Sequence, residues 1–247
     1  MSGGRPALEA IGREKIMYTK ERRGRRRRIR RRWPLAVLCG LAVLAAVLFV
    51  LRGRTTGGQA PVRESALCVV CIDPGHGGSD QGTSWEGRLE KEDNLDMALA
   101  LQRALEARNI YVVLTREDDT SLTLEERVAF AQAEQADYYI SLHRNYADVS
   151  ACGIEIWVAE QCSDAALSLA QEVEQGLVSV GVQNNRGVRQ GSQSGSGDYY
   201  VLSHTTMPAI LIEMGFIQDE EDNRLLDRNR RSYAEAIADA VVAVEGG

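Results

Sequence analysis

Two of the three histidines in the sequence stand at the ends of short apolar runs that are typical of buried strands. His76 follows the first such run, and His143 is the last residue of another. A third run, Ala209–Phe216, contains the carboxylate of Glu213. A buried strand holds an ionisable group only at a free-energy cost, so this carboxylate needs a partner. Two imidazoles and a carboxylate around one divalent ion, with water at an open position, describe a hydrolytic zinc site.

The spacing of these residues leaves a second interpretation open. In it the two histidines are capping or core residues and Glu213 is structural, because His76 and His143 are too far apart in the sequence to form a motif. The third histidine, His204, precedes the last predicted core strand, and a surface position is favoured over one in a cleft. Arg144, beside His143, is interpreted either as a contact for a substrate carboxylate or as a solvent-facing side chain.

The elements that would position these residues alternate between strands and helices. The predicted strands are residues 67–72, 110–115, 138–143, 153–158, 199–202 and 209–216. The predicted helices are residues 94–108, a helix capped by Thr123 that runs through Ala133, a helix capped by Ser163 that ends at Gly181, and a last one that starts among residues 219–222 and runs to about Val244. This order predicts an α/β domain with a largely parallel sheet, whose strand carboxyl ends gather the functional groups.

Charge and hydropathy divide the sequence in two. Residues 1–63 carry 16 Lys and Arg against three Asp and Glu, whereas residues 64–247 carry 13 against 32. The acidic domain is a poor candidate for nucleic-acid binding, because phosphate contacts need basic side chains. Residues 22–32 are nearly all arginine, and residues 35–51 are an uninterrupted apolar run of 17 residues. That length is at the short end for a helix that spans a bilayer.

The leader predicts a single-pass membrane protein. We assign residues 1–32 to a basic cytoplasmic tail, 33–51 to a transmembrane anchor, 52–65 to a linker and 66–247 to the catalytic domain. The arginines stay in the cytoplasm by the positive-inside rule, so the domain lies outside the cell membrane. A cleaved signal peptide is the alternative, and it is disfavoured because the apolar run is followed by Arg52 and Arg54 rather than by a small-residue cleavage site.

The domain contains four cysteines. Cys68 and Cys71 have the spacing of a redox or zinc motif, but they fall inside a strand pattern, and we interpret both as buried apolar residues. A disulfide between Cys152 and Cys162 is left open by the sequence.

Short motifs along the domain resemble those of the zinc-dependent N-acetylmuramoyl-L-alanine amidases, the family of bacterial sporulation and cell-separation amidases. The resemblance runs from about Val69 to Leu226, and many blocks in the same order make it specific. The blocks are 72–78 (IDPGHGG), 90–95 (EKEDNL), 114–116 (LTR), 124–127 (LEER), 141–145 (SLHRN), 153–155 (GIE), 200–202 (YVL), 207–213 (MPAILIE) and 215–216 (GF).

This resemblance implies a twisted, mostly parallel sheet flanked by helices, with peptidoglycan as the substrate. It implies that one zinc ion is held by His76, Glu90 and His143, and that Glu213 is the catalytic carboxylate. Glu90 is singled out by the resemblance alone, because it stands among several other acidic residues. Two alternatives remain open: another zinc hydrolase of the cell wall, such as a peptidase or deacetylase, and a non-catalytic wall-binding regulator. A role in cell-wall remodelling or in spore-cortex maturation, and an unidentified protein activator, are further expectations.

Overall fold

The computed structural model describes residues 60–246, which form a central sheet with helices on both faces. The strands are β1 (Val69–Pro74), β2 (Ser84–Trp85), β3 (Arg88–Leu89), β4 (Tyr111–Leu114), β5 (Tyr138–Asn145), β6 (Ile154–Val158), β7 (Asn185–Gln190) and β8 (Ala209–Phe216). The helices are α1 (Glu90–Glu106), α2 (Leu124–Ala133), α3 (Asp164–Val180), α4 (Tyr200–His204) and α5 (Glu220–Glu245), and a single 3₁₀ turn spans Arg63–Ser65.

The main sheet has six strands in the order β4-β1-β5-β8-β6-β7. Strands β4, β1, β5 and β8 are parallel, whereas β6 and β7 are parallel to each other and run antiparallel to β8. Strands β2 and β3 form a separate small hairpin directly before α1. The predicted α/β fold with a mostly parallel sheet is therefore confirmed.

No helix between residues 60 and 246 combines the length and the apolar character that a bilayer crossing requires. The predicted cytoplasmic tail, anchor and most of the linker lie outside the described residues.

Hydrophobic cores lie on both faces of the sheet. On β1, Val70 and Ile72 pack in the core that α1, α3 and α5 cover, while Val69 and Cys71 pack in the core that α2 and α4 cover. Burial on both faces explains why the parallel strands read as continuous apolar runs. Cys68 and Cys71 are buried thiols, as the sequence predicts, and Cys152 and Cys162 are free.

In the C-terminal half, one predicted strand is wrong and one observed strand is not predicted by the sequence. Residues 199–202 do not form a strand, because α4 covers Tyr200–His204. A run of four apolar residues fits either a strand or a buried helix turn, and here the rings of Tyr200 and His204 stack four residues apart, as helix geometry allows. Strand β7 was not predicted, because an edge strand with polar, partly exposed residues shows no apolar pattern.

Two of the predicted helix starts are confirmed, and a third differs by one turn. Thr123 forms the predicted capping box with Glu126, and Ser163 accepts a hydrogen bond from the backbone of Ala166. Helix α1, however, begins at Glu90 rather than at Asn94. This additional turn carries Glu90 into the centre of the domain.

A buried ion pair joins β1 to α2. The Asp73 carboxylate, which is 1% exposed, accepts hydrogen bonds from Arg127 (2.6 Å), Thr115 Oγ1 (2.7 Å) and Ser141 Oγ (2.9 Å). Burial by itself would raise the pKa of Asp73, but the Arg127 charge and the hydrogen bonds outweigh it and lower that pKa. Arg127 also donates to the carbonyl of His76 (2.7 Å), so the pair fixes the loop that follows β1.

We expect the Asp73→Ala substitution to lower the free energy of unfolding by about 3–5 kcal/mol, because it leaves the Arg127 guanidinium buried without a counter-charge. Urea denaturation followed by circular dichroism measures this. The control is Arg231→Ala, which removes an exposed pair with Glu235 and should leave the midpoint nearly unchanged. Equal effects of the two substitutions would contradict a structural role for the buried pair.

Candidate metal centre

Three side chains from separate elements converge at the carboxyl edge of the sheet. His76 lies in the loop after β1, Glu90 is the first residue of α1, and His143 lies near the end of β5. Their ligand atoms all lie within 4.8 Å of one another. Glu90 Oε1 is 2.9 Å from His143 Nδ1 and 3.2 Å from His76 Nε2. The structure thus brings together the three ligands that the family resemblance implies.

Glycines allow the close approach of these side chains. A Cβ atom at Gly75 would lie 2.2 Å from the His143 ring, and one at Gly82 would lie 2.6 Å from both Glu90 Oε2 and the His76 ring. Neither contact leaves room for a side chain. The glycines at these positions therefore set the distance between the ligand-bearing segments.

The imidazole of His76 and the carboxylate of Glu90 are oriented by further hydrogen bonds. His76 Nδ1 is 2.8 Å from Asp80 Oδ2, which leaves Nε2 to face the centre. Glu90 Oε2 accepts from the backbone of Thr83 (2.8 Å) and Oε1 from the backbone of Arg144 (3.1 Å). Such partners fix the direction of metal ligands and tune their basicity.

Glu90 is buried, with only 3% of the residue exposed, yet its surroundings favour the ionised form of its carboxyl group. Burial would raise its pKa, but hydrogen bonds and charge interactions with His143 and His76 outweigh that effect and lower the pKa of Glu90. The position at the start of α1 favours the same state, because the helix N-terminus carries a partial positive charge. A carboxylate held ionised between two imidazoles suits a divalent cation.

Glu213 lies beside this group. It pairs in register with His143 on β5 and with Glu155 on β6, so the three side chains share one face of the sheet. The residue is 6% exposed, and Glu213 Oε2 has no hydrogen-bond partner within residues 60–246. Burial, reinforced by the charges of Glu90 and Glu155, raises the pKa of Glu213 well above its ordinary value.

The donor set fits a zinc ion. Two imidazoles and one carboxylate are the ligands of several hydrolytic zinc sites, which keep a further position open for water or substrate. The unpartnered, buried oxygen of Glu213 supports the same conclusion, because a cation beside it would compensate its desolvation. A cleft of about 330 Å³ reaches His76 and His143 from solvent, and its walls include the apolar side chains of Leu124, Tyr199 and Leu211.

Arg144 has neither of the two roles considered from the sequence, a contact for a substrate carboxylate or a solvent-facing side chain. Its side chain is buried and binds Asp93 on α1, Asn223 on α5 and the carbonyl of Gly215. It therefore ties β5 to the two helices and to the end of β8. His204 is exposed and lies at the end of α4, as the favoured interpretation expected.

Spacing alone does not identify Glu90, which the family resemblance implies as the third ligand. Extending the predicted helix by one turn towards the N-terminus would have located it, because Glu90, Asn94, Met97 and Leu101 then follow one another at helical spacing. All four are buried in the structure. An acidic residue on the buried stripe of a helix requires a partner, which is the signal that the sequence contained.

We expect the Glu213→Gln substitution to stabilise the chelator-treated protein at pH 8 and to have little effect at pH 4. The unfolded chain ionises a glutamate at a pKa of about 4.3, whereas the folded protein resists ionisation of Glu213 to a higher pH. Its contribution to stability is therefore retained below pH 4 and lost as the pH rises. Thermal melting at both pH values measures this, with the exposed Glu117→Gln as the control. A lower melting temperature for Glu213→Gln than for the unmodified chain at pH 8 would contradict a raised pKa of Glu213.

Comparison with known proteins agrees with this geometry. Residues 70–243 match the model of the Amidase_3 family, described as N-acetylmuramoyl-L-alanine amidase. The chain is 34% identical over 179 residues to the N-acetylmuramoyl-L-alanine amidase LytC of Bacillus subtilis. The match covers 71% of this chain and 35% of LytC, so the chain spans about a third of that relative.

Solved amidase structures share the fold. An N-acetylmuramoyl-L-alanine amidase from Clostridium difficile 630 matches with a TM-score of 0.66 and 36% identity, over 72% of this chain and 96% of that one. The CwlD amidase from Clostridioides difficile, solved in complex with the GerS lipoprotein, matches with a TM-score of 0.66 and 27% identity, over 72% of this chain and 98% of CwlD. The chain therefore belongs to the Amidase_3 family of N-acetylmuramoyl-L-alanine amidases and is a cell-wall amide hydrolase.

Proposed function

We propose that the chain hydrolyses the amide bond between N-acetylmuramic acid and L-alanine in peptidoglycan with one zinc ion held by His76, Glu90 and His143. Glu213 is the proposed catalytic carboxylate. The observation that carries the proposal is the convergence of three ligand atoms within 4.8 Å beside a buried carboxylate oxygen without a partner. The cleft next to them opens to solvent and reaches both histidines.

Zinc bound at such a site lowers the pKa of a water ligand and polarises a carbonyl oxygen. The residues of the chain supply the remaining steps. Glu213 accepts a proton from the attacking water, and its buried Oε2, which has no other hydrogen-bond partner among residues 60–246, is free to take it. It then donates the proton to the nitrogen of L-alanine as the amide bond breaks. Asp80 keeps the His76 ring in place throughout, and Thr83 does the same for Glu90.

The two alternative functions make different predictions. A cell-wall peptidase or deacetylase would use the same four residues, but it would release fragments cut at another bond. A non-catalytic wall-binding protein has no need of the complete set, and the presence of His76, Glu90, His143 and Glu213 in one cluster speaks against it. Product analysis therefore separates all three functions.

We also propose that the enzyme acts outside the cytoplasmic membrane, tethered by residues 33–51. The support is the sequence: a block of arginines precedes an apolar run of 17 residues. A protein partner is a further proposal, supported by the structure of CwlD with the GerS lipoprotein. A role in cell-wall remodelling or in spore-cortex maturation is a further proposal, and it rests on the family resemblance.

We expect Glu213→Gln to lower the rate of amide hydrolysis by about 10²–10⁴-fold, because it removes the proton acceptor. Zinc content, measured by inductively coupled plasma mass spectrometry, should stay at one ion per chain. The activity assay incubates the full chain with purified peptidoglycan and identifies released peptides by mass spectrometry. Peptides with a free L-alanine amine support the proposed bond. Glu117→Gln is the matched control, and its rate should equal that of the unmodified chain.

Two results would contradict this proposal. Turnover of the Glu213→Gln variant at the control rate would remove Glu213 from the mechanism. Release of fragments cut at a different bond would leave a zinc hydrolase but reassign its substrate.

A further inference from the structure

Two arginines of β7 surround a buried carboxylate next to the proposed catalytic group. Glu155 on β6 is 3% exposed, and it pairs in register with Glu213. The guanidinium of Arg186 binds Glu155 Oε1, and that of Arg189 lies 3.7 Å from the same oxygen. The second oxygen, Oε2, accepts from Asn145 (3.2 Å). One buried negative charge therefore faces two positive charges.

Arg189 is the member of this group that keeps its donors free. None of the hydrogen bonds among residues 60–246 uses its guanidinium, and 43% of its side chain is exposed. The aromatic ring of Trp157 lies 5.8 Å from its central carbon, so the side chain rests on an apolar surface that limits its freedom. A guanidinium held in this way, with donors left over, is suited to bind a carboxylate.

The net charge of this group of side chains is opposite in sign to the net charge of the domain. Residues 64–247 carry 13 basic against 32 acidic side chains, whereas Arg186, Arg189 and Glu155 together carry one net positive charge. A positively charged group beside buried carboxylates is suited to bind an anionic part of the substrate.

The distance between Arg189 and Glu213 indicates which anionic group of the substrate Arg189 can reach. Neighbouring strands lie about 4.8 Å apart, so β7 is about 10 Å from Glu213, and the arginine side chains lean back towards Glu155. An extended peptide advances about 3.5 Å per residue. The α-carboxylate of the second stem-peptide residue is two residues, about 7 Å, from the scissile carbonyl. It therefore falls within reach of Arg189.

We propose that Arg189, supported by Arg186 and Glu155, binds the free α-carboxylate of the residue that follows L-alanine in the stem peptide. The enzyme then favours stems in which this group is a carboxylate over stems in which it is an amide. This inference rests on the proposed function, because it places the scissile amide between the ligand group and Glu213.

The test compares two synthetic muramoyl tripeptides that differ only at the second residue, which is D-glutamate in one and D-isoglutamine in the other. The full chain should hydrolyse the carboxylate substrate with about tenfold higher kcat/KM, the ratio expected for one partly exposed charge-assisted hydrogen bond. Arg189→Gln should raise KM for the carboxylate substrate about tenfold and leave its kcat nearly unchanged. The kcat/KM of this variant for the amide substrate should also stay nearly unchanged. Arg189→Lys keeps the charge and should restore part of the preference.

The matched control is Arg231→Gln, which removes an exposed arginine of α5 and should keep the full preference. Equal kcat/KM for the two substrates in the unmodified chain would overturn this inference alone. So would an equal loss on both substrates in Arg189→Gln. Failure of the zinc-loaded chain to hydrolyse either substrate at the muramoyl amide would instead contradict the proposed function.

Discussion

The carboxylate of Glu90 is buried between two imidazoles, and much of the surrounding structure serves to hold it there as an anion. Two hydrogen bonds from backbone amides and the N-terminal end of α1 stabilise the charge. The two histidines approach it from the loop after β1 and from β5, which meet at one edge of the sheet because both strands are parallel. The ligand group thus depends on the sheet order and on the exact start of one helix.

Buried arginines connect this group to the rest of the fold. Arg116 donates to the carbonyls of Gly75 (2.9 Å) and Lys91 (2.8 Å), so one side chain joins the His76 loop to the first turn of α1. Arg127 closes the same loop from α2, and Arg144 ties β5 to α1 and α5. Charged groups fix the backbone here with more directional specificity than apolar packing provides. The cost of burying them is offset where each guanidinium finds several acceptors.

The sequence predicts the parallel core, the two histidines His76 and His143 beside strand ends, and Glu213 within a third buried strand, because apolar runs mark buried strands. It did not predict β7, whose polar residues are stabilised by pairing with β6 rather than by a buried face of their own. It also left the role of Arg144 undecided, since its partners Asp93 and Asn223 are far away in the sequence and only the fold brings them together. Local patterns thus point to the two histidines, whereas Glu90 is implied only by the family resemblance, and the residues that orient all three side chains depend on long-range contacts.

Anomalous X-ray diffraction from zinc-loaded crystals at the zinc absorption edge would locate the ion and show whether Glu90 and the two histidines hold it. We expect one peak per chain, about 2.0–2.2 Å from a carboxylate oxygen of Glu90 and from one nitrogen each of His76 and His143. The carboxylate of Glu213 should lie outside this coordination shell. A peak coordinated by Glu213 in place of Glu90, or one remote from the histidines, would show that these three residues do not form the metal centre.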